Sequence, residues 1–453
     1  MRKTAFLTLG ALLLISGSIS AQENDEVRYN QYGVAVDRKE LKSEARNNIL
    51  VFESKDQDYK VWFDNRVQVD GATFFGLNSD YNKIGNGVSL RRVRFAMKTQ
   101  LTKDWYGEVD MDMADGFFEL KDAIIEYDGL KNWEFKMGNF KEDFSMGRTT
   151  SSRYLSMIER PMVAQALAPS RHLGVQAAYL RDHFRWSGGM FFQEVAGSEE
   201  ATNVQDNNKD FGRSQGYSLT TKMGWMPYTR DRDKGFYIGG KASYRTPKTD
   251  MATGEYGGVR YSTRNSTSIN RKKYIDTDVI KDVNHSWLYG VEGAAYYKGL
   301  KFQSEWIGSH VTAKNDSYNF GGYYFTLGYM LFGGNQHFNV AEGEFTQPGR
   351  GKKWGDVELV LRYDYLDLND KDIYGGSGEN YTAGLNFYIN NFFKFAINFQ
   401  HSSNDRYANG KGKLLIGHDA SGKPTADYKQ AVDPKGKGGV SYNMLAVRFE
   451  IDF

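Results

Sequence analysis

The sequence contains no cysteine. Disulfide bonds and a lipidated N-terminal cysteine are therefore excluded. Proline is scarce, at 7 residues of 453, which suits strands whose N–H groups nearly all donate to ladders. After the N-terminal region no stretch approaches the ~18 consecutive apolar residues of a membrane helix, and mean hydropathy is −0.61. This leaves membrane-spanning strands open. A surplus of one charge sign is also lacking. The chain has 58 basic and 56 acidic residues, and Arg2 and Lys3 belong to the extreme N-terminus. The remainder balances, so any ion preference must come from where charges sit.

Aromatics and glycine are abundant: 30 Tyr, 29 Phe and 49 Gly. Aromatic rings suit the girdles of an outer-membrane barrel, and glycine suits its turns and curvature. Arg2 and Lys3, the apolar run Phe6 to Ile15 and the small residues up to Ala21 form a secretory signal. Cleavage is expected before Gln22, or after Ser20 because Ile19 is not small. The chain ends Leu445-Ala446-Val447-Arg448-Phe449-Glu450-Ile451-Asp452-Phe453. Leu445, Val447, Phe449, Ile451 and Phe453 share one face, and Ala446, Arg448, Glu450 and Asp452 the other. We read this as the closing strand of a barrel, apolar toward lipid and polar toward water. The edge strand of a soluble sandwich is the competing reading.

The expected class is all-β, a transmembrane antiparallel β-barrel. Alternation marks sixteen strands, near 59–70, 89–100, 104–115, 119–129, 131–140, 172–181, 183–193, 216–226, 235–245, 286–298, 300–311, 321–331, 354–366, 379–390, 393–403 and 440–453. Every second connection is short and is assigned to the periplasm. The others include 71–88, 141–171, 194–215, 246–285 and 404–439, assigned outside. Residues 332–353 are long on the short side: either a missed hairpin there makes eighteen strands, or the turn is a genuine periplasmic elaboration. The domain expectation is a signal peptide at 1–21, a periplasmic leader at 22–58 and the barrel at 59–453.

Two polar faces carry candidate chemistry. Arg92, Arg94, Lys98 and Gln100 alternate with Val93, Phe95 and Met97, while Glu108, Asp110 and Asp112 alternate with Val109, Met111 and Met113. A short turn joins the two strands, so a basic column lies beside an acidic one on the lumen wall. Such columns either orient a permeating solute or pair with each other and stabilise the wall. Between Arg148 and Arg171 lie four Arg and one Glu, interspersed with Tyr154, Leu155, Met157, Ile158, Met162, Val163 and Leu167. A partly apolar loop of this length must bury something, and folding into the lumen is one way. Arg148, Arg153, Arg160, Arg171, Ser151 and Ser152 are then the candidate constriction residues, where guanidinium and hydroxyl groups replace an anion's water.

The motifs Arg91-Arg92-Val93-Arg94-Phe95, Trp105, Asp110, Leu120-Lys121-Asp122-Ala123, Met137-Gly138-Asn139-Phe140-Lys141, Thr150-Ser151-Ser152 and Ile158-Glu159-Arg160 resemble the phosphate-selective porin O/P family. The segments Asp356 to Tyr363 and Gly384 to Asn390 are similar to its closing strands. The resemblance implies a sixteen-stranded, trimeric outer-membrane porin whose third outer loop folds into the lumen. It also implies phosphate passage through a lumen rich in Arg and Lys, with the Thr-Ser-Ser to Glu-Arg stretch in the third loop.

The expected function is passive diffusion of small hydrophilic solutes across the Gram-negative outer membrane, with an anion preference. The alternatives are a general or saccharide-passing porin and a purely structural barrel. No enzyme is expected, because the seven His are scattered without a nucleophile pattern. Neither cofactor nor metal is expected. The expected partners are outer-membrane lipid and lipopolysaccharide, the barrel-assembly machinery through Phe453, two further copies in a homotrimer, and small anionic or neutral solutes, with no nucleic acid.

Overall fold

The computed structural model describes residues 28–36, 39–46, 49–77, 81–192, 213–227, 234–250, 255–264, 266–433 and 439–453. The signal segment 1–21 and most of the expected loop 194–215 lie outside the described residues. The chain divides at Leu41. Before that point the described residues form one small ladder, Arg28–Tyr29 with Ala35–Val36. The unit from Lys42 onward is the barrel.

Sixteen antiparallel strands close it. They are β1 (Lys60–Phe75), β2 (Gly87–Thr102), β3 (Trp105–Asp112), β4 (Glu119–Tyr127), β5 (Trp133–Lys141), β6 (Arg171–Arg181), β7 (Phe184–Phe191) and β8 (Ser218–Trp225). The circuit continues with β9 (Lys234–Arg245), β10 (Val283–Tyr297), β11 (Leu300–Ala313), β12 (Ser317–Met330), β13 (Asp356–Asp370), β14 (Ile373–Tyr388), β15 (Phe393–Asn404) and β16 (Ser441–Asp452). The preceding strand Ile49–Ser54 pairs with the start of β1, Val51 opposite Trp62.

Alternation builds the wall. Along β16, Leu445, Val447 and Phe449 are exposed while Met444, Ala446, Arg448 and Glu450 are buried. Closure pairs β16 with β1 in the register Arg448↔Asp70 and Glu450↔Gln68. Arg448 Nε and Nη2 each reach Asp70 at 2.7 Å. This bidentate fork pins the seam, because a one-residue slip would turn both charges toward lipid.

Among the described residues, most turns at the end holding Phe453 are tight. Asp182 and Lys298 take φ of 50° and 51°, the left-handed geometry two-residue hairpins need. The exception is 331–355. It holds no spanning strands, only the two-residue ladder Phe338–Asn339 with Glu344–Phe345, so eighteen strands are ruled out. Several strands overrun their expected ends. The first runs on to Phe75, and β14 begins at Ile373 rather than near 379.

Candidate functional site

Residues 142–170 join β5 to β6 and form the third outer connection. Ser145 caps the short helix α1 (Met146–Thr149), its Oγ accepting from Arg148 N at 3.2 Å. Pro161 precedes α2 (Met162–Ala166) and pre-sets its entry. Phe144, Ile158, Met162, Val163 and Leu167 are buried in one cluster with Tyr261, Ile275 and Ile280 of the 255–280 connection. Leu288, Ile307, Phe320, Tyr324 and Leu366 of β10 to β13 complete it. Each such side chain contributes about 1.5–3 kcal/mol by leaving water.

The segment's polar backbone is answered by buried side chains of the same wall. Met146 N donates to Glu292 at 2.9 Å, Ile158 N to Asn398 at 2.8 Å and Met162 N to Asp364 at 3.0 Å. Lys394 Nζ and Arg362 donate to the carbonyls of Leu155 and Glu159, both at 2.7 Å. Beneath α1, Glu292 takes Lys222 at 2.7 Å and Lys241 at 2.9 Å, all three side chains fully buried. Pairing of this kind is what makes buried charge tolerable.

A cavity of about 750 Å³ remains between this segment and the wall formed by β1 to β6. All the sequence-predicted residues line it: Arg148, Ser151, Ser152, Arg153, Arg160 and Arg171, with Arg92, Arg94, Lys98, Glu108, Asp110 and Asp112. Basic side chains outnumber acidic ones in the lining. The two columns face each other in the register Arg94↔Asp112 and Lys98↔Glu108. Arg94 reaches Asp110 at 2.9 Å and Asp112 at 3.3 Å, while Lys98 reaches Asp64 at 3.1 Å and Glu108 at 3.6 Å.

The predicted residues divide by what they touch. Arg153 pairs with Asp64 and with Asp452 at 3.4 Å. Ser152 Oγ accepts from Arg66 at 2.5 Å. Arg171 forks onto Asp122 at 3.0 and 2.6 Å. Arg160 is buried and donates to the carbonyls of Gly147 and Thr150, so it braces the loop's own backbone. Arg92 donates to Gln68 at 2.7 Å.

Sequence reasoning missed three groups. Arg66 sits with Asp64, Gln68 and Asp70 in a run of four polar residues at alternate positions of β1, a signal that was there to be read. Arg91 shares the outward parity of Val93. A bulge sets Gln68 opposite Arg92 and Val69 opposite Leu90, so the extra residue Arg91 turns inward to Glu159. Burial alone would raise the Glu159 carboxyl, but Arg91, with Arg92 and Arg448, holds it well below the usual carboxylate range.

The third group is the 331–355 segment, which bounds the same cavity through Asn339, Ala341, Glu342, Glu344 and Thr346. Asp356 anchors its base, accepting from Phe332 N at 3.1 Å and from Gly334 N and Gly351 N at 2.8 Å. Phe338 and Phe345 pack on Met146, Tyr237 and Tyr296. Ala341 O accepts from Arg185 at 2.6 Å, and Glu344 accepts from Ser151 N at 3.3 Å. The segment therefore meets residues 142–170 directly.

Glu108, Asp110 and Asp122 bring ligand atoms within 4.8 Å of one another. Their charges are already answered by Lys98, Arg94 and Arg171.

A closed sixteen-stranded antiparallel barrel with an apolar exterior and charged side chains on the other face of its wall defines a class: the outer-membrane porins, which let small solutes diffuse across the outer membrane of Gram-negative bacteria. Within that class the chain belongs to the family of phosphate-selective porins O and P, whose model matches residues 63–421. Porin O of Pseudomonas aeruginosa is 22% identical over 388 residues, 79% of this chain and 86% of that protein. An uncharacterized protein of Caulobacter vibrioides is 26% identical over 357 residues, 77% of this chain and 69% of that one. OmpT of Vibrio cholerae, an outer-membrane protein, superposes with a TM-score of 0.50 at 10% identity, covering 87% of this chain and 98% of its own.

Proposed function

We propose that this porin prefers small anions, oxyanions of the phosphate type among them, and that residues 142–170 form its constriction. The observation that carries this is the basic surplus around the cavity between that segment and β1 to β6. Arg148, Arg153, Arg160 and Arg171 are the side chains we assign to the constriction, and Arg153, Arg160 and Arg171 are oriented there by their partners. The family's description as phosphate-selective points the same way. The second reading, a general porin, is favoured by the column Glu108, Asp110 and Asp112, which neutralises part of the wall.

Reversal potential in a planar bilayer under a KCl gradient tests the assignment. The double variant Arg148→Gln/Arg153→Gln should lose most of its chloride preference, and inorganic phosphate should block chloride current less. Unchanged selectivity in that variant favours the general porin. OmpT of Vibrio cholerae has been solved in a trimer form, and we assign this chain the same assembly. An unheated gel should show about three times the monomer mass. Removal of residues 1–21 and handling by the assembly machinery through Phe453 complete the proposal. Deleting Phe453 should lower the folded yield.

A further inference from the structure

The hairpin that rises from the periplasmic end carries two carboxylates to the channel, Glu342 and Glu344. Period two separates its faces. Phe345 is buried against Tyr237 and Met146, and its neighbour Glu344 turns to the cavity. Glu344 is only 6% exposed, although it borders the cavity. Ser151 N, from the middle of the 142–170 segment, donates to it at 3.3 Å. Lys141 faces it from β5 and Lys222 from β8, while Glu342 is the like charge on its own hairpin. Lys141 itself lies beside Arg160 and Arg171.

We infer that Glu344 is a specificity-setting residue of the channel: the hairpin holds its carboxyl where its charge decides how much of the positive potential of the Lys141, Arg160 and Arg171 cluster a passing ion meets. Ionised, it offsets part of that cluster's charge and weakens the hold on anions. Protonated, it leaves that potential uncovered. Burial, together with the repulsion of Glu342, pushes the carboxyl up to about 7, against the opposing pull of Lys141 and the Ser151 N–H. The charge therefore changes within the range a periplasm experiences. Anion preference is high below that point and falls as pH rises through it.

The inference rests on the porin reading. The test is the chloride-to-potassium permeability ratio of the full mature protein in planar bilayers, from pH 5.5 to 8.5. Wild type should lose about half of its ratio or more across neutrality. Glu344→Gln should hold the acid value at every pH. Glu342→Gln removes the like charge from an exposed position, keeps the Glu344 contacts and should move the wild-type midpoint to lower pH. A wild-type ratio that does not change with pH overturns the inference. So does a Glu344→Gln channel that titrates as wild type does. Absence of any conductance in the wild-type protein would instead overturn the porin reading.

Discussion

Arg91 forks onto both carboxylate oxygens of Glu159, its Nη2 meeting Oε2 at 3.2 Å. The pair joins a bulge in β2 to the far part of the 142–170 segment, and Arg448 of β16 approaches the same carboxylate at 3.6 Å. One side chain thus ties the loop to the seam where the barrel closes.

Glu159→Gln should loosen that tie. The substitution leaves Arg91 and Arg448 without their shared counter-charge in a buried place, a loss of about 3 kcal/mol. Lumen water can reach Arg91, so the figure belongs at the low end of that range. The temperature at which the folded band disappears on gels should drop. Single-channel current should become noisier as the segment gains freedom. A quiet channel with wild-type heat resistance would show that the loop is held by its apolar cluster alone.

Asp356→Ala acts at the base of the 331–355 segment. It removes the acceptor for three backbone N–H groups at the base of the periplasmic hairpin. Hydrogen bonds to a charged acceptor are worth about 1.5–3 kcal/mol each, and buried donors left without one cost comparably. The 16-strand wall does not depend on them, so folding should survive. Unitary conductance should rise, and a protease added on the periplasmic side should cleave within 332–353. Asp356→Asn, which keeps one oxygen, should fall between the two.

How much of this was readable follows from period two. The wall was legible because Leu445, Val447 and Phe449 alternate with Arg448 and Glu450, and the same rule placed Arg94 and Lys98 against Asp112 and Glu108. It fails wherever one residue is inserted. Arg91 has outward parity, and only the partner strand reveals the bulge that turns it inward. It fails too where a strand rises beyond the lipid. Gly375, Gly376 and Ser377 give β14 no apolar outward face, so its start was invisible. The length of residues 331–355 left a spanning hairpin and a periplasmic elaboration both open. Their inward course is set by Asp356 and by Phe338 and Phe345 meeting Tyr237, contacts distant in sequence.

Gly138 offers a test of the wall itself. Its φ is +127°, and a Cβ there would lie 2.0 Å from the carbonyl oxygen of Ala123 on β4. That neighbour is backbone in a ladder and cannot move aside. Gly138→Ala should therefore cost about 3 kcal/mol through strain and clash together. Thermal unfolding in detergent should show the drop, and the surviving folded fraction should conduct as wild type, because no lumen group is altered. Wild-type unfolding would mean that β5 relaxes at this position.

Acid should separate the loop anchor from the selectivity carboxyl. Glu159 is held below its unfolded value near 4.3, so its contribution is complete above that pH and is lost as pH falls toward the depressed folded value. Glu344 is raised to about 7, so its proton is already bound throughout that range. Lowering the pH from 8 to 5 should therefore change ion preference without adding current noise. Noise should appear only well below pH 4, when Glu159 takes its proton and Arg91 loses its partner. In Glu159→Gln the noise should be present at every pH, while the change across neutrality persists. Were both transitions to vanish in that single variant, the two carboxyls would be one coupled unit, and the loop rather than the hairpin would control the pore.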